Sequence, residues 1–159
     1  VLPASAVPMT KTPMIVDITE KSTIIRRASA SGVLCVSPTV VSKVHEVATE
    51  KGDVRNSASL AAILAVKKNP LSLPHCHPIP IEGCNVEWKD VENGLKCIVT
   101  VSTTSKTGVE MEALCGVSTA LLCAWDMLKP ILKDSTGQYP DTRISDVAVI
   151  TKLKIPTEN

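Results

Sequence analysis

The chain has 159 residues, enough for one compact core and too few for two full-sized domains. Its 17 basic and 16 acidic residues leave a net charge of +1, which excludes the polyelectrolyte field that draws in nucleic acid by itself. Aromatics make up 2% with no Phe at all, which removes the stacking platforms of single-strand binders, so no nucleic-acid partner is expected.

Taken from the start, VLPASAVPMTKTPMIV holds three prolines and no basic n-region, so it reads as neither a signal peptide nor a transit peptide. Residues 1–13 are expected as a flexible arm before a single α+β domain over 14–159. No apolar run approaches the roughly 18 residues of a membrane helix, and no membrane partner is expected. Cys35, Cys76, Cys84, Cys97, Cys115 and Cys123 stand in apolar contexts without a C-x-x-C pair. They read as reduced core thiols of a cytoplasmic protein.

MIVDI, Met14 to Ile18, fits a short strand or an anchored extended segment. TIIRRASASGVLCV, Thr23 to Val36, places Ala28 and Ala30 on one face and Arg27, Ser29 and Ser31 on the other. This is a strand with a bulge expected near Gly32. Ser37 and Pro38 open a helix that runs through VVSKVHEVATE until Gly52 stops it. Asp53 caps a second helix, VRNSASLAAILAVKK, apolar nearly all round and expected to be buried until Asn69 and Pro70 end it. In LSLPHCHPIPI, Pro74, Pro78 and Pro80 forbid a regular helix or a central strand. CNVEWKD and GLKCIVTVSTT read as a hairpin, with Cys97, Val99 and Val101 alternating with Ile98, Thr100 and Ser102. A helix over Lys106 to Lys129, the turn-rich KDSTGQYPD and a last strand, ISDVAVITKLK, complete an α+β plan. Its simplest architecture is a ferredoxin-like antiparallel sheet with helices packed on one face.

The long helix carries an apolar stripe, Met111, Leu114, Val117, Leu121, Leu122, Trp125 and Leu128, and carboxylates or lysines at both tips. Thr107 and Glu110 fit a capping box, Glu112 suits the first-turn dipole, and Asp126 with Lys129 fits a surface ion pair worth a few tenths of a kcal/mol. Glu112 and Asp126 are nonetheless on nearly the same side, offset by about 40° and separated by roughly 21 Å along the axis. One chain cannot bring them together. Two antiparallel copies of the helix across a two-fold axis can, which allows a composite site between subunits.

His75, Cys76 and His77 alternate in direction along a Pro-held backbone, so the two histidines can face one way while Cys76 faces the other. No second His/Cys pair stands at zinc-finger spacing, and no metal site is expected; a hydrogen-bonded loop role and a substrate-contacting or acid–base role both fit. Lys51 precedes a Gly52–Asp53 helix start that offers free backbone N–H groups, and Arg26 in the first long strand suits phosphate if it faces a cleft.

KGDV (51–54), HCHPIPI (75–81), KTGVEMEAL (106–114) and WDMLK (125–129), in this order and after MIVDI, resemble the MoaC family, the cyclic pyranopterin monophosphate synthases of molybdenum cofactor biosynthesis. The resemblance runs from Met14 to about Lys152. It implies a catalytic ferredoxin-like domain and a homohexamer, a trimer of dimers with active sites at the dimer interface. The implied activity is that of a lyase converting 3',8-cyclo-7,8-dihydroguanosine 5'-triphosphate to cyclic pyranopterin monophosphate and pyrophosphate. No cofactor is required on this expectation, although Mg²⁺ can accompany the triphosphate of this small nucleotide-derived substrate. The family's catalytic positions match Asp126 and Lys129, with Lys51 beside them. Its substrate contacts match Met111, Glu112 and the loop His75, Cys76 and His77, whose first position is more often Leu. Further pocket positions match Asp17, Arg26, Glu110 and Lys152, although the family's Gly-rich tail is replaced here by TKLKIPTEN. Two rival expectations are a non-catalytic ligand-binding module, which needs no convergence of these groups, and a metal protein built on His75 and His77.

Overall fold

The computed structural model describes residues 12–46 and 51–157. Most of the expected N-terminal arm, and the last residues before Lys51 of the first expected helix, lie outside the described residues. Among the described residues there are four strands: β1 (Ile24–Cys35), β2 (Gly83–Val91), β3 (Gly94–Ser105) and β4 (Arg143–Ile155). They form one antiparallel sheet in the order β2-β3-β1-β4. The helices are α1 (Pro38–Lys43), α2 (Val54–Lys67), α3 (Asn69–Ser72) and α4 (Glu110–Leu132). With α2 and α4 packed on one face, this is the ferredoxin-like β-α-β-β-α-β plan.

Period-two alternation builds the sheet, as the sequence predicts. Along β3 the buried positions are Leu95, Cys97, Val99, Val101, Thr103 and Ser105, and β1 presents Ala28, Ala30 and Leu34 to the same core. Two alanines at the centre of β1 leave room for α4 to lie close. At the expected bulge, Gly32 lies within the register shift between Ser31 and Val33 of β1 against β4, and Asp146 of β4 takes φ 55 there, a left-handed conformation that Asp tolerates. A Cβ at Gly32 would stand 2.8 Å from Leu121 Cδ1 and 2.9 Å from Val147 Cγ2, so the missing side chain is what lets the helix reach the sheet.

Several expected elements change. MIVDI is the anchored extended segment rather than a strand. α1 ends at Lys43: none of its six residues is buried, and the buried contact falls on Val44 at its C-cap, whose N–H returns to the Val40 and Val41 carbonyls. α2 is not buried all round: Val54, Ala58, Ala62 and Val66 form a narrow inner stripe, while Leu60 (64% exposed) and Leu64 face outward. α4 begins at Glu110 rather than Lys106, because the Ser105 hydroxyl donates to the Thr107 carbonyl and holds that stretch in a turn. It continues past Pro130, which removes one i→i−4 bond near the end of the helix without stopping it. Its inner face is Glu112, Ala113, Gly116, Val117, Ala120, Leu121, Ala124, Met127 and Leu128, so Met111 and Leu122 of the expected stripe are exposed. By length and composition α4 could cross a membrane, contrary to the expectation that no run would, yet half of its apolar stretch lies inside the protein. All six cysteines are free thiols, and only Cys97 is fully buried, which pushes its thiol up to about 12.

Candidate active site

α2 and α4 lie antiparallel, as side chains at both ends record. At one end Asn69, just after α2, donates Nδ2–H to Glu112 Oε1 in the first turn of α4 (3.1 Å). At the other, Lys51, just before α2, pairs with Asp126 in the last turns of α4. The predicted site residues therefore fall into two clusters, one at each end of α4.

The cluster at the start of α4 surrounds a cavity of about 260 Å³ lined by residues that include His75, Cys76, His77, Glu110, Met111 and Glu112. Its wall is the extended segment before β1, held by both histidines. The Met14 and Val16 carbonyls can only accept, so His75 Nδ1–H donates to the first (2.6 Å) and His77 Nε2–H to the second (2.7 Å). Carbonyls two residues apart face the same side of an extended chain, and so do histidines two apart. Lys106 Nζ ties the segment once more, at the Thr19 carbonyl (2.7 Å). Asp17 turns back on Thr19, whose hydroxyl and backbone N–H hold its carboxyl below the usual range.

Glu110 and Glu112, two residues apart, point to different sides of the helix and differ in environment. Burial works to raise the Glu110 carboxyl, but the Lys152 ammonium at 2.8 Å, with Arg26 nearby, more than offsets it and the net shift is downward. Thr107 does not cap the helix: the N-cap position is Val109, without a side-chain bond, so the expected capping box gives way to this ion pair. Glu112 is 4% exposed and, among the described residues, forms no ion pair. Burial pushes its carboxyl upward, with Glu110 adding repulsion and Asn69 acting the other way.

Arg26 is buried on the core face of β1, with Nε–H donated to the Ser105 carbonyl (3.0 Å) and an Nη2–H to the Lys106 carbonyl (3.1 Å). Those donors tie the end of β3 to the sheet, leaving the rest of the fork and its charge toward Glu110. Lys152, expected at the head of a tail, stands inside β4, which runs on to Ile155.

The cluster at the far end of α4 is compact. Asp126 bridges Lys51 through Oδ2 and Lys129 through Oδ1 (2.9 Å). Lys129 and then Lys51 hold its carboxyl down at about 2, and in return Asp126 pushes the Lys129 ammonium upward. Tyr139 also acts on Lys129, and its ring meets Trp125 edge-on at 5.4 Å. Lys51 and Arg26, both expected to hold phosphate, lie at opposite ends of α4. A larger cleft of about 390 Å³, at the hairpin end of the sheet, is lined by Cys35, Asn93, Asp141 and Arg143 among others and contains none of the predicted residues. Among the described residues, no three His, Cys, Asp or Glu side chains are grouped as a metal-ligand set.

The pattern of the MoaC family matches residues 15–154. This chain belongs to the MoaC family. It is 50% identical over 140 residues to a protein of Aeropyrum pernix named probable cyclic pyranopterin monophosphate synthase, covering 88% of this chain and 96% of that one. Proteins of the same name from Sulfurisphaera tokodaii and Methanosarcina acetivorans are 48% and 47% identical over 140 residues, 88% of this chain and 93% and 89% of theirs. In this MoaC chain, Asn69, Lys21 and Tyr139 belong to the two clusters without having been singled out from the sequence. Asn69 stood next to a helix-ending Pro and passed as punctuation. Lys21 and Tyr139 had no periodic pattern around them to mark a direction.

Proposed function

We propose that this chain is a cyclic pyranopterin monophosphate synthase of molybdenum cofactor biosynthesis, a phosphorus–oxygen lyase acting on 3',8-cyclo-7,8-dihydroguanosine 5'-triphosphate. The observation that carries the reading is Asp126 held between Lys51 and Lys129, within a family whose relatives bear that name. At neutral pH the pair fixes Asp126 as the carboxylate and Lys129 as the ammonium, the protonation states of a base and an acid; both shifts lead away from neutrality, so the two act once substrate has parted the pair. Asp126 accepts a proton and Lys129 supplies one as the guanine-derived ring opens and the pterin ring closes. In the phosphate step a substrate hydroxyl oxygen bonds to the α-phosphorus while its bond to pyrophosphate breaks. Lys51 and Arg26 offset the charge on the leaving group.

The pocket is composite on this reading. Met111, Glu112, His75, Cys76, His77, Asp17, Glu110 and Lys152 bind substrate from one subunit, and Lys51, Asp126 and Lys129 come from its partner across a two-fold axis. Roughly 21 Å of helix between Glu112 and Asp126 supports this, since one small substrate does not bridge both ends within a chain. A cytoplasmic homohexamer built as a trimer of dimers follows from the same reading. No resident cofactor enters the scheme, and Mg²⁺ comes as part of the substrate's triphosphate. The direct test is incubation with the cyclic dihydroguanosine triphosphate and detection of pyranopterin and pyrophosphate. Lys129→Ala is expected to lower turnover by about 10²–10⁴-fold, and retained turnover would remove Lys129 from its role.

A further inference from the structure

Asn69 is fully buried and hydrogen-bonded at only one end of its side chain. Nδ2 donates to Glu112 Oε1 at 3.1 Å, while Oδ1 meets no donor among the described residues. A buried amide ordinarily uses both ends, and a hydrocarbon of this size would fill the α2–α3 junction without leaving a polar atom unpaired. The half-used amide makes sense if its partner changes from acceptor to donor. Glu112 is such a partner: as a carboxylate it only accepts, and as a carboxylic acid it also donates. It lines the cavity with Glu110 of its own helix, His75, Cys76 and His77 of the loop and Lys21 of the segment before β1, and Cys115 lies close enough to feel its charge. Because no hydrogen bond holds the far end of the Asn69 amide, a half-turn about Cβ–Cγ exchanges N–H for C=O without breaking any other bond.

We propose that Asn69 is the positioning residue of Glu112, an amide that turns over to donate to the carboxylate and accept from the carboxylic acid. Glu112 then keeps one orientation through a proton transfer, as a carboxyl that meets substrate in both forms must. The catalytic relevance rests on the proposed function, but the hydrogen-bond exchange does not.

The test is therefore made first on substrate-free protein. Infrared titration should show a carboxylic-acid band that disappears as pH rises and is missing in Glu112→Gln. In protein carrying ¹³C-amide-labelled asparagine, a side-chain carbonyl band should shift over the same pH range, and that shift too should be missing in Glu112→Gln. An asparagine carbonyl indifferent to the Glu112 titration overturns the proposal whatever the variants at Asn69 do. Asn69→Thr and Asn69→Val have nearly the same shape and differ in a hydroxyl that can both donate and accept. Thr is expected to hold the Glu112 midpoint near its original value and Val to raise it by about one pH unit, the amount by which a hydrogen bond to the charged form exceeds one to the neutral form. Equal midpoints in the two variants contradict the proposal. If turnover is measurable, the acid limb of the kcat profile should move up with the Val midpoint and return with Thr. Absence of turnover in unmodified protein would strike the proposed function while leaving the titration result intact.

Discussion

Two carboxylates on one helix are pushed in opposite directions by what surrounds them, and each shift is also a statement about stability. Asp126 has a folded value of about 2 because two lysines face it, so its ion pairs contribute stability that is present above the ordinary carboxylate range and lost as pH falls through about 2. Asp126→Asn is therefore expected to melt lower than the unmodified protein at neutral pH, with the difference closing as the pH approaches about 2. Thermal melts across acid pH check this, and a difference that persists at the lowest pH would mean that the lysines are not what hold Asp126. Glu112 runs the other way. Its folded value is raised, so folding is penalised once pH exceeds the ordinary carboxylate value, with the full penalty above the folded one. Glu112→Gln should melt higher than the unmodified protein at pH 7, match it in acid and lose activity, the exchange of stability for function common at active sites. An unchanged melting temperature at pH 7 would show that the buried carboxylate carries no such cost.

At the scale of elements, the site depends on how closely α4 sits on the sheet and on α2. A Cβ at Gly116 would lie 2.9 Å from Val66 Cγ2 and 3.1 Å from Val99 Cγ1, both on fully buried, β-branched side chains with little freedom to turn. Gly116→Ala gains about 1 kcal/mol of helix propensity but overpacks the core at a cost of about 1–3 kcal/mol, and the larger effect wins. Urea unfolding should show a lower midpoint at unchanged slope. A higher midpoint would show that α4 can shift without loss. The alternation of β3, the β2–β3 hairpin and the bulge at Gly32 were legible because each is a local pattern that the core then enforces. The start of α4 and the length of α1 were not. The first is set by Ser105 folding back on Thr107, and in the second the buried contact falls on Val44 at the C-cap rather than along the helix, neither of which periodicity encodes. Lys51, Asp126 and Lys129 were grouped through family resemblance, and their side chains do pair with one another, whereas Asn69 was invisible because its partner is 43 residues away.

As a whole, the chain carries two clusters of candidate site residues, one at each end of α4, and exposed apolar side chains on β4, α2 and α4. β4 is an edge strand with Val147, Val149, Ile150, Leu153 and Ile155 exposed, and α2 and α4 turn Leu60, Leu64 and Leu122 outward. Exposed apolar edges are what isolated proteins avoid, and the two-fold self-association proposed above would cover such a surface while bringing opposite ends of α4 together. This leads to a test that no single-chain site can pass. Glu112→Gln disables the half-site at the start of α4, and Lys129→Ala the half-site at its end, so each variant alone should be inactive. When the two are unfolded together and refolded, half of the dimers are mixed, and a mixed dimer has one site with both lesions and one with neither. Activity should return to about a quarter of the unmodified value, half the dimers times half their sites. If instead each site lay within one chain, every site in the mixture would carry a lesion and no activity would return. Recovery near a quarter, scaling with the product of the two variant fractions, would establish that Glu112 and Lys129 act on the same substrate from different subunits.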